Sequence, residues 1–434
     1  MRKEGVIEER CNELKMKLKR NFRLVLIGQI ISLFGNAIQR FCLSLYLLEL
    51  TGSPAIYGNI LALSILPYIF CAPIAGQFAD QLSKKKIMVY LDFLCFILLF
   101  SYGVYLQGDG SSVIVAGAVM ILLSVAATLY TPAVTSCLPE IVEPERLKFA
   151  NSCVSQVGAW ANILGPVVAG MLYGLFGIRW IVILNAVSFL LSAIMECFLV
   201  MPFQKKEKQT PISLKSSYLE MGKTAVVVKK QYMVVFGIIL SYALYNICIV
   251  PVNTIVLPYV MNLLFQVPSE VYGTVEGVIV LGSLFSGILL TIATKWFPFQ
   301  KVYLWNYPMS VALLGMTVAV VFFSKSMIGV AIFAIGGMII MFCLGVGNIV
   351  TLTYIQETIP SHMLGKVSAL STAVATATVP IGQILLGNVL EWSHVSVVLL
   401  ISAVLNGLVS LFVRWNILRD QKVDKIVKNV IECE

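Results

Sequence analysis

The chain has 434 residues, of which 59% are hydrophobic and only 12% charged. A soluble globular protein carries about twice that charged fraction, so the composition points to a polytopic membrane protein. The net charge of +9 does not indicate nucleic-acid binding. The basic residues fall between apolar runs and at the termini rather than along one face.

The first twenty residues are too charged, with too short an apolar core, for a cleaved signal peptide. Residues 1–21 are expected to remain as a basic amphipathic helix on the cytoplasmic surface. About 30 Å of hydrocarbon is crossed at 1.5 Å per helical residue, so apolar runs of roughly 20 residues qualify as spans. Twelve such runs follow: 22–49, 54–79, 86–106, 112–137, 149–174, 178–201, 233–262, 271–294, 300–323, 327–355, 364–390 and 394–417. With the N-terminus inside, 28 of the 31 lysines and arginines fall on the cytoplasmic side, two (Arg179 and Lys325) outside and one (Arg40) within a span. That partition supports the helix count and predicts that both termini are cytoplasmic, in a multi-pass protein of the cell membrane.

The only long polar connection, 202–232, is rich in lysine. It separates a six-helix bundle at 22–201 from a second at 233–418, with a cytoplasmic tail at 419–434. The halves echo one another. Leu138-Pro139-Glu140-Ile141-Val142-Glu143-Pro144 precedes the fifth span and Ile355-Gln356-Glu357-Thr358-Ile359-Pro360 the eleventh, and Pro144 and Pro360 stand 216 residues apart.

Between the second and third spans lies Gly76-Gln77-Phe78-Ala79-Asp80-Gln81-Leu82-Ser83-Lys84-Lys85-Lys86. This turn resembles the G-x-x-x-D-x-x-G-[RK]-x-[RK] loop of the major facilitator superfamily, with Ser83 in place of the second glycine. Leu129-Tyr130-Thr131-Pro132-Ala133, Leu138-Pro139-Glu140-Ile141-Val142 and Leu50-Thr51-Gly52-Ser53-Pro54 are similar to the branch of macrolide and enterobactin exporters. The resemblance implies an all-α fold of twelve transmembrane helices in two six-helix pseudo-repeats. It also implies a secondary transporter that works by alternating access and exports an amphipathic or hydrophobic small molecule. Two departures bear on coupling. The fourth span lacks the arginine of many proton-coupled antiporters, and the fifth has Ala161 and Ala169 where the antiporter pattern has glycines. Metabolite uptake, and a sensor or scaffold that keeps the fold without transporting, stay open as alternatives.

No catalytic constellation is present. The two histidines, His362 and His394, sit on opposite expected faces, and Gly222-Lys223-Thr224 lacks the first glycine of a P-loop because residue 217 is serine. Neither an enzyme nor a cofactor or metal site is expected, and the ten unpaired cysteines read as packing residues. The expected partners are a small-molecule substrate, the lipid bilayer and protons, with the protein a monomer.

Polar residues inside apolar spans are costly and so are expected to face a cavity or a partner. Gly76, Asp80, Lys84 and Lys85 are the expected conformational gate, although the same residues also read as an ordinary polar turn with topological anchors. Asn36, Gln39 and Arg40 share one face of the first span. Arg40 and Glu276 lie at comparable depth, which suggests either a pair or two side chains reaching separately to the surface. Asp92 reads either as helix-packing glue or as a titrating group, and with Glu276 it is a candidate for proton coupling. Glu49 and Glu196 are expected to be solvated at helix ends. The family's arrangement implies a central cavity formed with Tyr130, Tyr242, Tyr245, Asn246, Asn348 and Tyr354, to which the fifth span adds Gln156 and Trp160. Aromatics and amides with few charges suit an amphipathic organic molecule.

Overall fold

The computed structural model describes residues 2–201 and 214–432, without the side chains of 2–19, 72–74, 76–81, 144, 214–218, 294 and 420–432. The described residues form helices and no strands. Hydrocarbon offers no partners to backbone N–H and C=O groups, so a spanning segment that pairs its own backbone internally is helical.

In the first half the helices are α1 (Arg2–Thr51), α2 (Pro54–Gln81), α3 (Lys84–Gln107), α4 (Val113–Ile141) and α5 (Leu147–Cys197). At 51 residues α5 would be about 76 Å long if straight, well over two hydrocarbon thicknesses. It breaks at Gly177, whose φ of 66° is open to glycine at little cost, and so supplies two spans.

The connection between the halves, expected to be a basic linker, contains a helix of its own, α6 (Leu214–Gln231). The second half continues with α7 (Met233–Cys248), α8 (Leu257–Tyr259), α9 (Ser269–Ala293), α10 (Asn306–Phe322), α11 (Met327–Thr358), α12 (Ser361–Trp392) and α13 (Val395–Glu432). The seventh span is not a plain α-helix, because π-turns at Val252–Val256 and Val260–Leu264 flank α8. Pro251 and Pro258 have no N–H to donate, and beside them the hydrogen bonds slip to the wider spacing. Among the described residues eleven helical segments are long and apolar enough to cross a membrane, and the division of α5 makes the twelve of the sequence reading.

The chain forms two compact units. One comprises Met1–Leu50 with Pro67–Leu214, and the other Thr51–Leu66 with Lys215–Glu434. This differs from a simple division at the linker, because the first part of α2 packs into the second unit against α12. Gly58 and Gly387 make that crossing close: a Cβ on Gly58 would sit 2.8 Å from the Gln383 carbonyl oxygen, and one on Gly387 2.9 Å from that of Pro54. At the helix end Ser53 Oγ donates to Glu391 Oε2 at 2.7 Å.

In the first unit Val25, Met88, Ala133, Cys137, Leu138 and Leu199 form a core joining α1, α3, α4 and the segment after α5. Here Lys85 Nζ donates to the carbonyls of Cys197 and Leu199, each at 2.7 Å, and so closes the exposed end of α5. Asn21 adds a reciprocal pair of hydrogen bonds with Val200. In the second unit Val235, Ile238, Ile239, Ile355 and Val367 pack α7 against α11 and α12.

Candidate functional site

Each unit encloses a cavity, and the two differ in chemistry. The cavity of the second unit, about 510 Å³, is lined from α7 by Tyr242, Tyr245 and Asn246, from α11 by Asn348 and Thr351, and from α12 by hydroxyls such as Ser371 and Thr372. Four of the expected cavity residues therefore meet at one place. Asn246 Nδ2 donates to the Ala375 carbonyl at 2.8 Å, and Tyr242 is hydrogen-bonded to Thr351, whose hydroxyl also reaches the Gly347 carbonyl at 2.6 Å. Among the described residues no aspartate, glutamate, lysine, arginine or histidine lines this cavity. It offers ring faces, amides and hydroxyls without a fixed charge. Tyr354 lies outside it, stacked on Phe299 with ring centroids 3.7 Å apart.

The cavity of the first unit is smaller, about 240 Å³, and acidic. Asn36, Gln29, Asp92 and Tyr130 line it. Behind Tyr130 lies Glu196, 2% exposed, which accepts a hydrogen bond from the tyrosine hydroxyl at 2.6 Å. Gln29 Nε2 donates to that hydroxyl at 3.0 Å. The expectation that Glu196 is solvated is thus corrected. Its position at the end of an apolar run suggested water, but the segment after α5 folds back under Lys85 and Asn21 and seals it. A signal was present in the sequence: Ser192 and Glu196 are four residues apart and so share a helix face.

Among the described residues, the remaining expected site residues line neither cavity. Arg40 is exposed and donates to Asn162 Oδ1 at 3.1 Å, while Glu276 accepts from Tyr272 on its own helix at 2.7 Å. Gln39 is 2% exposed, and neither of its amide atoms has a hydrogen-bond partner among the described residues. Gln156 and Trp160 are exposed and line neither cavity. Lys84 is ion-paired with Glu140 inside the first unit, and Lys85 caps α5, so both lysines have holding roles there. The backbone of Gly76 and Asp80 belongs to α2, but their side chains lie outside the described residues.

Residues 25–374 match the family model described as Major Facilitator Superfamily. The chain belongs to the major facilitator superfamily. Among superfamily relatives, macrolide efflux protein A of Streptococcus pyogenes is 25% identical over 383 residues, which cover 87% of this chain and 90% of that one. A macrolide efflux protein A of Enterococcus faecalis is 24% identical over 326 residues, 74% of this chain and 96% of the relative. In solved structures the same twelve-helix fold recurs in a bacterial homologue of the iron transporter ferroportin in its inward-facing state. That structure has a TM-score of 0.69 at 17% identity and covers 92% of this chain and 98% of its own. A nucleoside transporter also scores 0.69, at 13% identity, over 93% and 99% of the two chains. At such identities the structural likeness speaks for the fold alone. Membership of the superfamily makes the protein a multi-pass membrane transporter rather than an enzyme.

Proposed function

We propose that the protein is a secondary exporter of amphipathic organic molecules, macrolide-like compounds among them, working by alternating access in the cell membrane with both termini in the cytoplasm. The observation that carries this reading is the uncharged, tyrosine- and amide-lined cavity of the second unit. Its volume falls in the range of small-molecule sites. Its polar groups are spread among apolar walls, which suits a large molecule with scattered hydroxyls better than an inorganic ion or a phosphate. The names of the efflux relatives agree with that chemistry.

Cells of an efflux-deficient bacterium, with and without the protein, test the proposal through retention of labelled erythromycin and of a panel of other amphipathic compounds. Lower retention with the protein, reversed by Tyr245→Ala, supports export. Higher retention points to uptake. Equal retention across the panel favours a sensor or scaffold that keeps the fold without transporting.

A further inference from the structure

Export against a gradient needs a driving ion, and the first unit carries a buried acidic assembly that the cargo cavity does not use. Asp92 on α3 and Glu196 on α5 are each 2% exposed and lie within electrostatic reach of each other. Oδ2 of Asp92 and Oε2 of Glu196 have no hydrogen-bond partner among the described residues. The groups facing them can be named element by element: Gln29 from α1, Cys95 from α3, Tyr130 and Cys137 from α4, and Ser192 from α5. None is a cation. Lys84, whose charge reaches Cys137, is engaged by Glu140.

A purely structural role for the two acids is tested by the molecule's own repeat. The third and sixth spans pack together in the first unit as the ninth and twelfth do in the second, where α10 lies on α13. There the buried polar groups are neutral. Asn406 Nδ2 donates to the Asn306 carbonyl at 2.8 Å and to Ser310 Oγ at 2.9 Å, and Ser410 Oγ donates to the Tyr303 carbonyl at 3.1 Å. Amides and hydroxyls suffice to hold that helix pair. Carboxylates in its counterpart add desolvation cost and mutual repulsion without adding a needed contact. A proton bonded to one of the orphan oxygens would remove a charge and turn that oxygen into a hydrogen-bond donor. Asp92 and Tyr130 both line the 240 Å³ cavity, so the assembly has an opening through which protons can be exchanged.

We propose that Asp92 and Glu196 form the proton-carrying site of this transporter, an inference that rests on the export reading for its direction of use. A carboxylate oxygen takes a proton from hydronium while the pair is open to one side of the membrane, forming one O–H bond as another breaks. It returns the proton to water when the pair is open to the other side. Tyr130 is a positioning residue: its hydroxyl holds Glu196 Oε1 and leaves Oε2 free for the proton.

Two measurements on the purified full-length protein in lipid vesicles test this. Infrared difference spectra across a pH titration need no cargo. They should show the C=O stretch of a protonated buried carboxyl, which disappears in the double variant Asp92→Asn/Glu196→Gln and persists in Glu276→Gln. No such band in the wild type, or a band unaltered in the double variant, overturns the proposal. Transport of labelled erythromycin is then followed with and without an imposed pH gradient. One proton moved per cargo molecule across a gradient of about one pH unit stores about 1.4 kcal/mol, enough for about tenfold accumulation. The double variant should lose that accumulation yet still exchange internal for external erythromycin without a gradient, which also shows that it is folded. Glu196→Asp should retain accumulation. Full accumulation in the double variant, or wild-type accumulation driven by sodium and indifferent to pH, overturns the proposal. Absence of erythromycin exchange in the wild type counts against macrolide-like cargo instead, and the infrared result then decides the proton site alone.

Discussion

The two cavities occupy two halves built on the same six-helix plan, yet one is lined by neutral groups and the other backs onto a pair of carboxylates. A repeat that once served both halves equally has no reason to keep such a difference unless the halves do different work. In the second unit the lining is suited to discrimination among organic surfaces by rings and hydrogen bonds. In the first the lining is suited to a small change of charge. Under the proposed division of tasks, cargo selectivity could vary without disturbing the proton site.

The sharpest way to break the comparison is to exchange the chemistry of the helix pairs. Asn406→Asp removes both amide donations and sets carboxylate oxygens against the Asn306 carbonyl. With the residue fully buried, the expected cost is about 3 kcal/mol or more, read as loss of folded protein in membranes and a lower midpoint on heating. Asp92→Asn in the first unit should leave abundance within the scatter of wild type. If both substitutions lower abundance alike, the acids of the first unit are structural and the contrast between the halves is lost.

Next in size is the proposed cargo cavity of the second unit. Tyr245→Ala should weaken erythromycin exchange by about 2 kcal/mol, roughly thirtyfold in half-saturating concentration, as expected for a buried aromatic anchor. The carboxyl infrared band should stay unchanged. A changed band would mean that the two sites are not separable. Tyr130→Phe is milder. It deletes the hydroxyl that Gln29 and Glu196 share, at a cost of about 1 kcal/mol in stability. The pH at which gradient-driven accumulation is half-maximal should move while gradient-free exchange stays at the wild-type rate. An unmoved profile would remove Tyr130 from the positioning role.

The smallest effect is expected at the ends of the helices, where among the described residues each unit carries one lysine–glutamate pair. Lys84 and Glu140 are largely covered, whereas Lys366 and Glu220 meet in the open at 2.6 Å. The Lys366 ammonium holds the Glu220 carboxyl below its ordinary range. A depressed folded-state value means that the stabilisation is present above the ordinary carboxylate range and fades as pH falls through the lowered one. Glu220→Gln should therefore reduce the thermal midpoint slightly at neutral pH and not at all in acid, with Lys84→Gln giving the larger loss. Equal losses for the two would mean that cover makes no difference to these pairs.

Much of the fold was legible because the bilayer leaves few choices. Span length, lysine placement and the repeat around Pro144 and Pro360 gave twelve helices in two halves, and even the break near Gly177 fell between two predicted spans. The neutral cavity was half legible. Tyr242, Tyr245, Asn246 and Asn348 converge as the family arrangement implies, but Tyr354 turns away because Phe299 offers its ring a flat partner. Glu196 was missed for a different reason. Its burial is produced by Lys85 and Asn21, which are distant in sequence and gather the end of α5. The π-turns of the seventh span escaped too, since proline announces a lost donor but not which wider hydrogen bond replaces it.

The crossing of α2 and α12 has a consequence for how the protein is made. Ser53 and Glu391, which meet there, are 338 residues apart. At a synthesis rate of about 5–20 residues per second, Ser53 leaves the ribosome roughly 17 to 70 s before its partner exists. Until then the groove around Gly58 stays open and the first half matures without it, so the last helices inserted into the membrane complete a surface prepared near the beginning of translation.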